Sequence, residues 1–250
     1  MTELIMLLEN IGTSVLVSKN QIHQLMTEAA KILAIEAPDL YIRQSPVPNA
    51  YTLAISGKKT FVVVHTSLVE LLTRKELHAF LAHELGHLKC DHGVLLTFAN
   101  ILMLGAYWFT GLGGFIVQSL EENLFRWFRA AELTCDLAAL LVAQDPKVVI
   151  YVLMKLAGGC PSMADQLNVD AFLEQARSYD IASSSPVGWY IKNAQTRQLS
   201  HPLPVLRARE IDEWSKSQDY TSLLRRAIQM NDLPRSNTDL ELVKISNSLK

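Results

Sequence analysis

Two histidines set one helical turn apart inside an amphipathic helix constrain this chain more than any other feature. Thr73-Arg74-Lys75-Glu76 has the form of a capping box: the threonine hydroxyl can accept from the third helical amide while the glutamate reaches back to the cap amide. A helix is therefore predicted from Arg74. Its apolar residues, Leu77, Phe80, Leu81, Leu85 and Leu88, follow i, i+3, i+4 spacing and run through His83-Glu84-Leu85-Gly86-His87. The two imidazoles then share one helical face and Glu84 lies on the neighbouring one. An H-E-x-x-H pattern on a helix suits a tetrahedral zinc ion, with the glutamate as general base for a metal-activated water. A purely structural role is disfavoured, because two imidazoles and a carboxylate among apolar neighbours need a partner.

A catalytic zinc takes three protein ligands and keeps a fourth position open. The continuation x-x-G-x-x-H would require Gly at position 90 and His at position 93. The chain has Cys90 and Gly93 there, and His92 is one residue out of register. The best remaining candidate is Glu132, which shares a helical face with Asp136 four residues on. Glu132 is the expected third ligand. Asp136 is expected to accept the free ring N–H of a ligand histidine, His83, which fixes its tautomer.

These blocks resemble the M48 family of gluzincin metallopeptidases over roughly residues 45 to 210. The resemblance rests on Pro48-Asn49-Ala50-Tyr51, on His83 to His87, on Arg129 to Asp136, and on Ser200-His201-Pro202 with Arg207 downstream. It implies an α+β fold, a mainly helical zincin-type domain with a small antiparallel β-sheet. It also implies one zinc per chain on His83, His87 and Glu132, with Asp136 orienting a zinc histidine. Asn49, Ala50 and Tyr51 match an edge strand that binds substrate backbone by strand addition. His201 is implied to stabilise the oxyanion, with Arg207 as an electrostatic partner. The chain departs from the family at Phe128 and Cys135, where small residues are usual.

Gly93 to Leu120 is a run of 28 residues without a charge, and hydropathy alone reads it as a membrane span. A single crossing would put His87 and Glu132 on opposite sides of a bilayer, although both must reach one ion. A helical hairpin is expected instead. Its first helix continues to Thr110, Gly111 to Gly114 make the turn, and Leu102, Leu104, Trp108, Phe109 and Phe115 form an apolar tip. Two full spans need about 40 residues, so the hairpin can at most dip into one leaflet, or else pack on a second copy or on the domain itself.

The remaining pattern completes one domain over residues 1–232 and a polar tail over 233–250. Apolar spacing predicts a helix over Gln21 to Glu36, stopped by Pro38. Three short strands follow as an antiparallel meander, Leu40 to Gln44, Tyr51 to Ile55 and Phe61 to His65, with a turn at Ser56 to Lys59. A second capping box, Ser119 to Glu122, is expected to open the helix bearing Glu132. Asp145-Pro146 starts the next, ended by Gly158-Gly159, and Pro202 to Lys216 forms another, opened by Ser200 or His201.

The net charge of −2 disfavours nucleic acid as a partner. Three cysteines without paired spacing, and a first segment lacking a basic region, predict a cytoplasmic or equivalent reducing compartment, possible membrane association and no secretion. The expected function is zinc-dependent endopeptidase action on polypeptides, in membrane-associated quality control as the resemblance suggests, with a homo-oligomer allowed. The alternative is a catalytically silent, zinc-stabilised scaffold or chaperone.

Overall fold

The computed structural model describes residues 15–16, 21–53, 60–109, 113–196, 199 and 201–232. The expected turn at Ser56 to Lys59, the first half of the expected Gly111 to Gly114 turn, the cap at Ser200 and the tail from residue 233 lie outside the described residues, while Gly113 and Gly114 already belong to a helix.

Helix α1 (Gln21–Ile32) buries Leu25, Met26, Ala29 and Ala30, the stripe its sequence spacing predicts. It stops before Pro38 is reached. Ala34 enters the left-handed region at φ 53, and Ile35 N–H bonds back to Ala30 at 3.0 Å, which closes the helix from within.

Strands β1 (Val15–Leu16), β2 (Asp39–Arg43), β3 (Ala50–Leu53) and β4 (Phe61–His65) form one sheet in the order β1-β2-β4-β3. The sheet is mixed rather than antiparallel throughout, because β4 enters between β2 and β3 and runs parallel to β2. The β2–β3 link must therefore cross past the place of β4, a non-local choice that strand propensity does not encode. Strand β3 pairs antiparallel with β4 and becomes an outer edge. Both faces of β4 are covered. Val62 and Val64 join the main core with Leu40 and Ala50, while Phe61 and Val63 pack with Tyr41 and Tyr51.

After α2 (Thr66–Leu71), α3 (Arg74–Lys89) opens with the predicted capping box: Thr73 N–H donates to Glu76 Oε2 at 2.7 Å and Glu76 N–H to Thr73 Oγ1 at 3.4 Å. Glu76 Oε2 also accepts from Lys155 Nζ at 2.7 Å. This buried pair ties α3 to a later helix, α6 (Pro146–Gly158). The predicted continuation of α3 to Thr110 is interrupted. Asp91 sits at φ 52, and a new helix, α4 (His92–Phe109), begins beyond it.

Helix α5 (Gly113–Ala143) starts six residues before the second capping box, so Ser119 to Glu122 lie inside it. The Ser119 carbonyl is taken by Asn123 Nδ2 at 2.8 Å, because a local cap signal yields where the preceding chain can itself continue the helix. Helices α4 and α5 pack on each other. No helix among the described residues is long and apolar enough to cross a membrane.

Helix α5 packs closely on α3 where Gly86 meets Cys135. A Cβ on Gly86 would stand 3.1 Å from Cys135 Cα and 3.2 Å from its Sγ. This near contact of backbones brings the Glu132 side of α5 over the histidine face of α3. Helices α7 (Val169–Ser183), α8 (Pro186–Thr196), α9 (Pro204–Ser215) and α10 (Gln218–Asp232) complete the chain, and α9 packs on α5 and α6.

Candidate metal centre

A cavity of about 680 Å³ lies between the edge strand β3, the paired helices α3 and α5, and the start of α9. His83, Glu84, His87, Glu132, His201 and Arg207 all line it. From α3, the Nε2 atoms of His83 and His87 stand 3.5 and 3.4 Å from the two oxygens of Glu132 on α5. Two imidazole nitrogens facing one carboxylate are donor types suited to a divalent metal. Burial pulls the His83 pKa down, but hydrogen bonds to Asp136 and Glu132 outweigh it and lift it to about 9, so with no ion bound the two carboxylates favour the protonated ring. Burial would raise the Glu132 carboxyl, yet His201, His83 and His87 hold it far below the ordinary range.

The supporting groups are equally specific. Asp136 Oδ1 lies 3.0 Å from His83 Nδ1 and accepts a further bond from Arg207 Nη2 at 2.6 Å, while Arg207 Nε reaches Oδ2 at 2.7 Å. Arg207 Nη1 also stands 3.2 Å from Glu132. One buried guanidinium thus grips both carboxylates of α5, a more central position than its sequence context suggested. His201, largely exposed, places Nδ1 3.1 Å from Glu132 at the cavity mouth.

A second donor set exists among the described residues: Cys135 Sγ lies with a nitrogen of His83 and of His87, all within 4.8 Å of one another. Two features set it behind Glu132. Cys135 is fully buried against Gly86 and does not line the cavity, so it offers no open position for substrate. Burial and the surrounding carboxylates also push its thiol pKa far up, whereas a metal takes the thiolate.

Glu84 is buried beside the histidines. Desolvation raises its carboxyl pKa, and the charges of His83 and His87 and a hydrogen bond from Thr52 oppose the rise. Thr52 Oγ1 donates to Glu84 Oε2 at 3.0 Å. The sequence reading passed over Thr52, although it shares a strand face with Ala50 and so points at α3. Asn49, Ala50 and Tyr51 line the same wall. His92 was set aside as out of register, yet its Nδ1 lies 3.0 Å from His87 Nδ1 and its ring meets the Trp127 ring edge-on at 5.4 Å.

Comparison with known proteins shows what the chain is similar to. The family model described as Peptidase family M48 matches residues 17–215. The chain is 80% identical over 230 residues to the plastoglobule-localized metallopeptidase 48, chloroplastic, of Arabidopsis thaliana, covering 91% of this chain and 67% of that protein. It is 29% identical over 162 residues to protease HtpX homolog 2 of Methanosarcina acetivorans, covering 55% of each. The crystal structure of S. mikatae Ste24p superposes with a TM-score of 0.51 at 16% identity, over 84% of this chain and 56% of that one, a likeness of fold.

The Arabidopsis relative overturns the expected cytoplasmic compartment, since its name carries a chloroplast address. Cys90, Cys135 and Cys160 are free, and unpaired cysteines carry no compartment address.

Proposed function

Because this chain belongs to peptidase family M48 and is a metallopeptidase, we propose that it is a zinc-dependent endopeptidase whose ion is held by His83 Nε2, His87 Nε2 and Glu132. The observation that carries this reading is the approach of both Nε2 atoms to within 3.5 Å of one buried carboxylate, with Glu84 in the same cavity. The chemistry a zinc ion supplies when bound is Lewis acidity, which lowers the pKa of water to about 7 and polarises a carbonyl.

The chain's own groups do the rest. Asp136 holds the proton of His83 on Nδ1 and leaves Nε2 as the donor, and Arg207 fixes Asp136 in turn. Thr52 anchors Oε2 of Glu84, leaving Oε1 to take the proton of the attacking water and deliver it to the departing amine. His201 at the mouth donates to the oxygen that gains charge in the tetrahedral state. The substrate lies extended along β3, bound by main-chain hydrogen bonds near Asn49, Ala50 and Tyr51. An intact Glu84 weighs against a silent scaffold.

The hairpin of α4 and α5 is read as a lipid-facing surface. Phe98, Ile101, Leu102 and Leu104 are exposed on a stretch without charge. At 1.5 Å per residue α4 is about 27 Å long, and the hairpin's two legs return to one side, so contact is with one leaflet or a lipid monolayer. The plastoglobule in the Arabidopsis relative's name is the proposed setting.

A chelation experiment tests the metal assignment. Casein cleavage should stop on removal of metal and return with about one equivalent of zinc. Cleavage that persists in metal-free protein would overturn it.

A further inference from the structure

The two histidines of the H-E-x-x-H helix are supported differently. His83 Nδ1 faces the carboxylate of Asp136 at 3.0 Å, whereas His87 Nδ1 faces another imidazole nitrogen, Nδ1 of His92, also at 3.0 Å. Had α3 run on unbroken, residues 87 and 92 would point about 140° apart around the helix. The left-handed residue Asp91 breaks the helix and swings His92 back over His87.

Trp127, on α5, closes from the other side with its ring nearly perpendicular to His92 at 88°. Cys135 Sγ lies 3.7 Å from the same His92 nitrogen. His92 therefore sits in a fixed place between the hairpin legs, at the cavity wall.

A neutral imidazole carries one proton, so of two facing nitrogens one donates and the other accepts. If His87 uses Nε2 as a metal donor, its proton is on Nδ1 and His92 Nδ1 must accept it. We propose that His92 is a positioning residue for the metal centre: its Nδ1 accepts the Nδ1–H of His87, holding that ring in the tautomer and orientation that present Nε2 to the ion. This role rests on the metal site proposed above. The partner's identity matters. A carboxylate on His83 and a neutral imidazole on His87 polarise the two ligands unequally, and the neutral partner keeps a fourth negative charge out of a site that already holds Glu84, Glu132 and Asp136.

The test uses the full chain as wild type, His92→Leu and His92→Gln, with zinc affinity measured by competition against a chromogenic chelator and melting followed in the metal-free state. Leucine fills similar space without an acceptor, and the glutamine amide oxygen can accept from His87. His92→Leu should bind zinc about 10- to 100-fold more weakly, and His92→Gln should stay within a few-fold of wild type. Unchanged affinity in His92→Leu overturns the proposal. Equal loss in both variants also overturns it, whatever happens to metal-free melting, because the acceptor would then be irrelevant. If wild type itself takes up no zinc, the site assignment fails and His92 with it. If wild type binds and His92→Leu matches it, only the role of His92 fails.

Discussion

Thr52 on β3 donates a 3.0 Å hydrogen bond to Oε2 of Glu84 on α3, so the edge strand and the proposed general base are mechanically linked. Burial raises the Glu84 pKa and this bond opposes the rise by favouring the carboxylate. Thr52→Val removes the opposition, and the pKa moves higher still. Glu84 acts as a base only when deprotonated, so the acid limb of kcat/KM should shift to higher pH. A hydrogen bond to a charged group contributes about 1.5–3 kcal/mol, so activity near neutrality should fall by about tenfold or more. A pH–rate profile checks both; an unmoved acid limb contradicts the link.

Arg207 makes two hydrogen bonds to Asp136, which is 2% exposed. Arg207→Leu strands a buried carboxylate and should cost about 3–5 kcal/mol in unfolding free energy. Arg207→Leu with Asp136→Asn should recover part of that. Burial alone would raise the Asp136 pKa, but Arg207 outweighs it and the net shift is downward. The associated stability is present above the unfolded aspartate pKa of about 3.9 and is lost as pH falls through the lower folded value. Denaturant titrations of the metal-free proteins from about pH 5 down to about pH 1.5 should show this acid-side loss in wild type and not in the double variant.

At Gly86, α3 lies close against α5. A methyl group there meets Cys135 Cα at 3.1 Å, a backbone atom that moves only if α5 moves. Gly86→Ala should therefore displace Glu132 from the two histidines, weakening zinc affinity by about tenfold or more. Helix propensity favours alanine by about 1 kcal/mol, so the loss should exceed any loss of helicity by circular dichroism. Unaltered affinity would show that the helix spacing is not needed by the site.

Exposed Phe98, Ile101, Leu102 and Leu104 lie away from the cavity-lining groups that carry the chemistry. Ile101→Asp with Leu104→Asp should abolish co-flotation with lipid vesicles and leave cleavage of a soluble peptide within about twofold of wild type. Flotation unchanged by both charges would remove the lipid assignment without touching the metal site.

Local signals were legible in the sequence and long-range ones were not. The Thr73–Glu76 capping box, the shared face of His83 and His87, and the spacing of Glu132 and Asp136 each depend on a few consecutive residues of one helix, and each recurs in the structure. The insertion of β4 between β2 and β3 depends on a crossover and has no local mark. Thr52 was missed for the same reason, gaining its role from where β3 lies against α3. His92 turns on a local event the helix pattern does not mark, the single left-handed residue at Asp91. Arg207 sits 71 residues from Asp136 in the chain, and its central position follows from α9 folding back onto α5. The cytoplasmic expectation failed because thiol chemistry carries no address.

The most direct measurement compares wild type with Glu84→Gln for zinc content and for casein cleavage under one set of conditions. The account predicts about one zinc per chain in both and at least a hundredfold loss of cleavage in Glu84→Gln, since the amide keeps the shape but cannot accept the proton. Zinc in both with equal cleavage would contradict the role of Glu84, and cleavage by wild type without bound metal would contradict the centre itself.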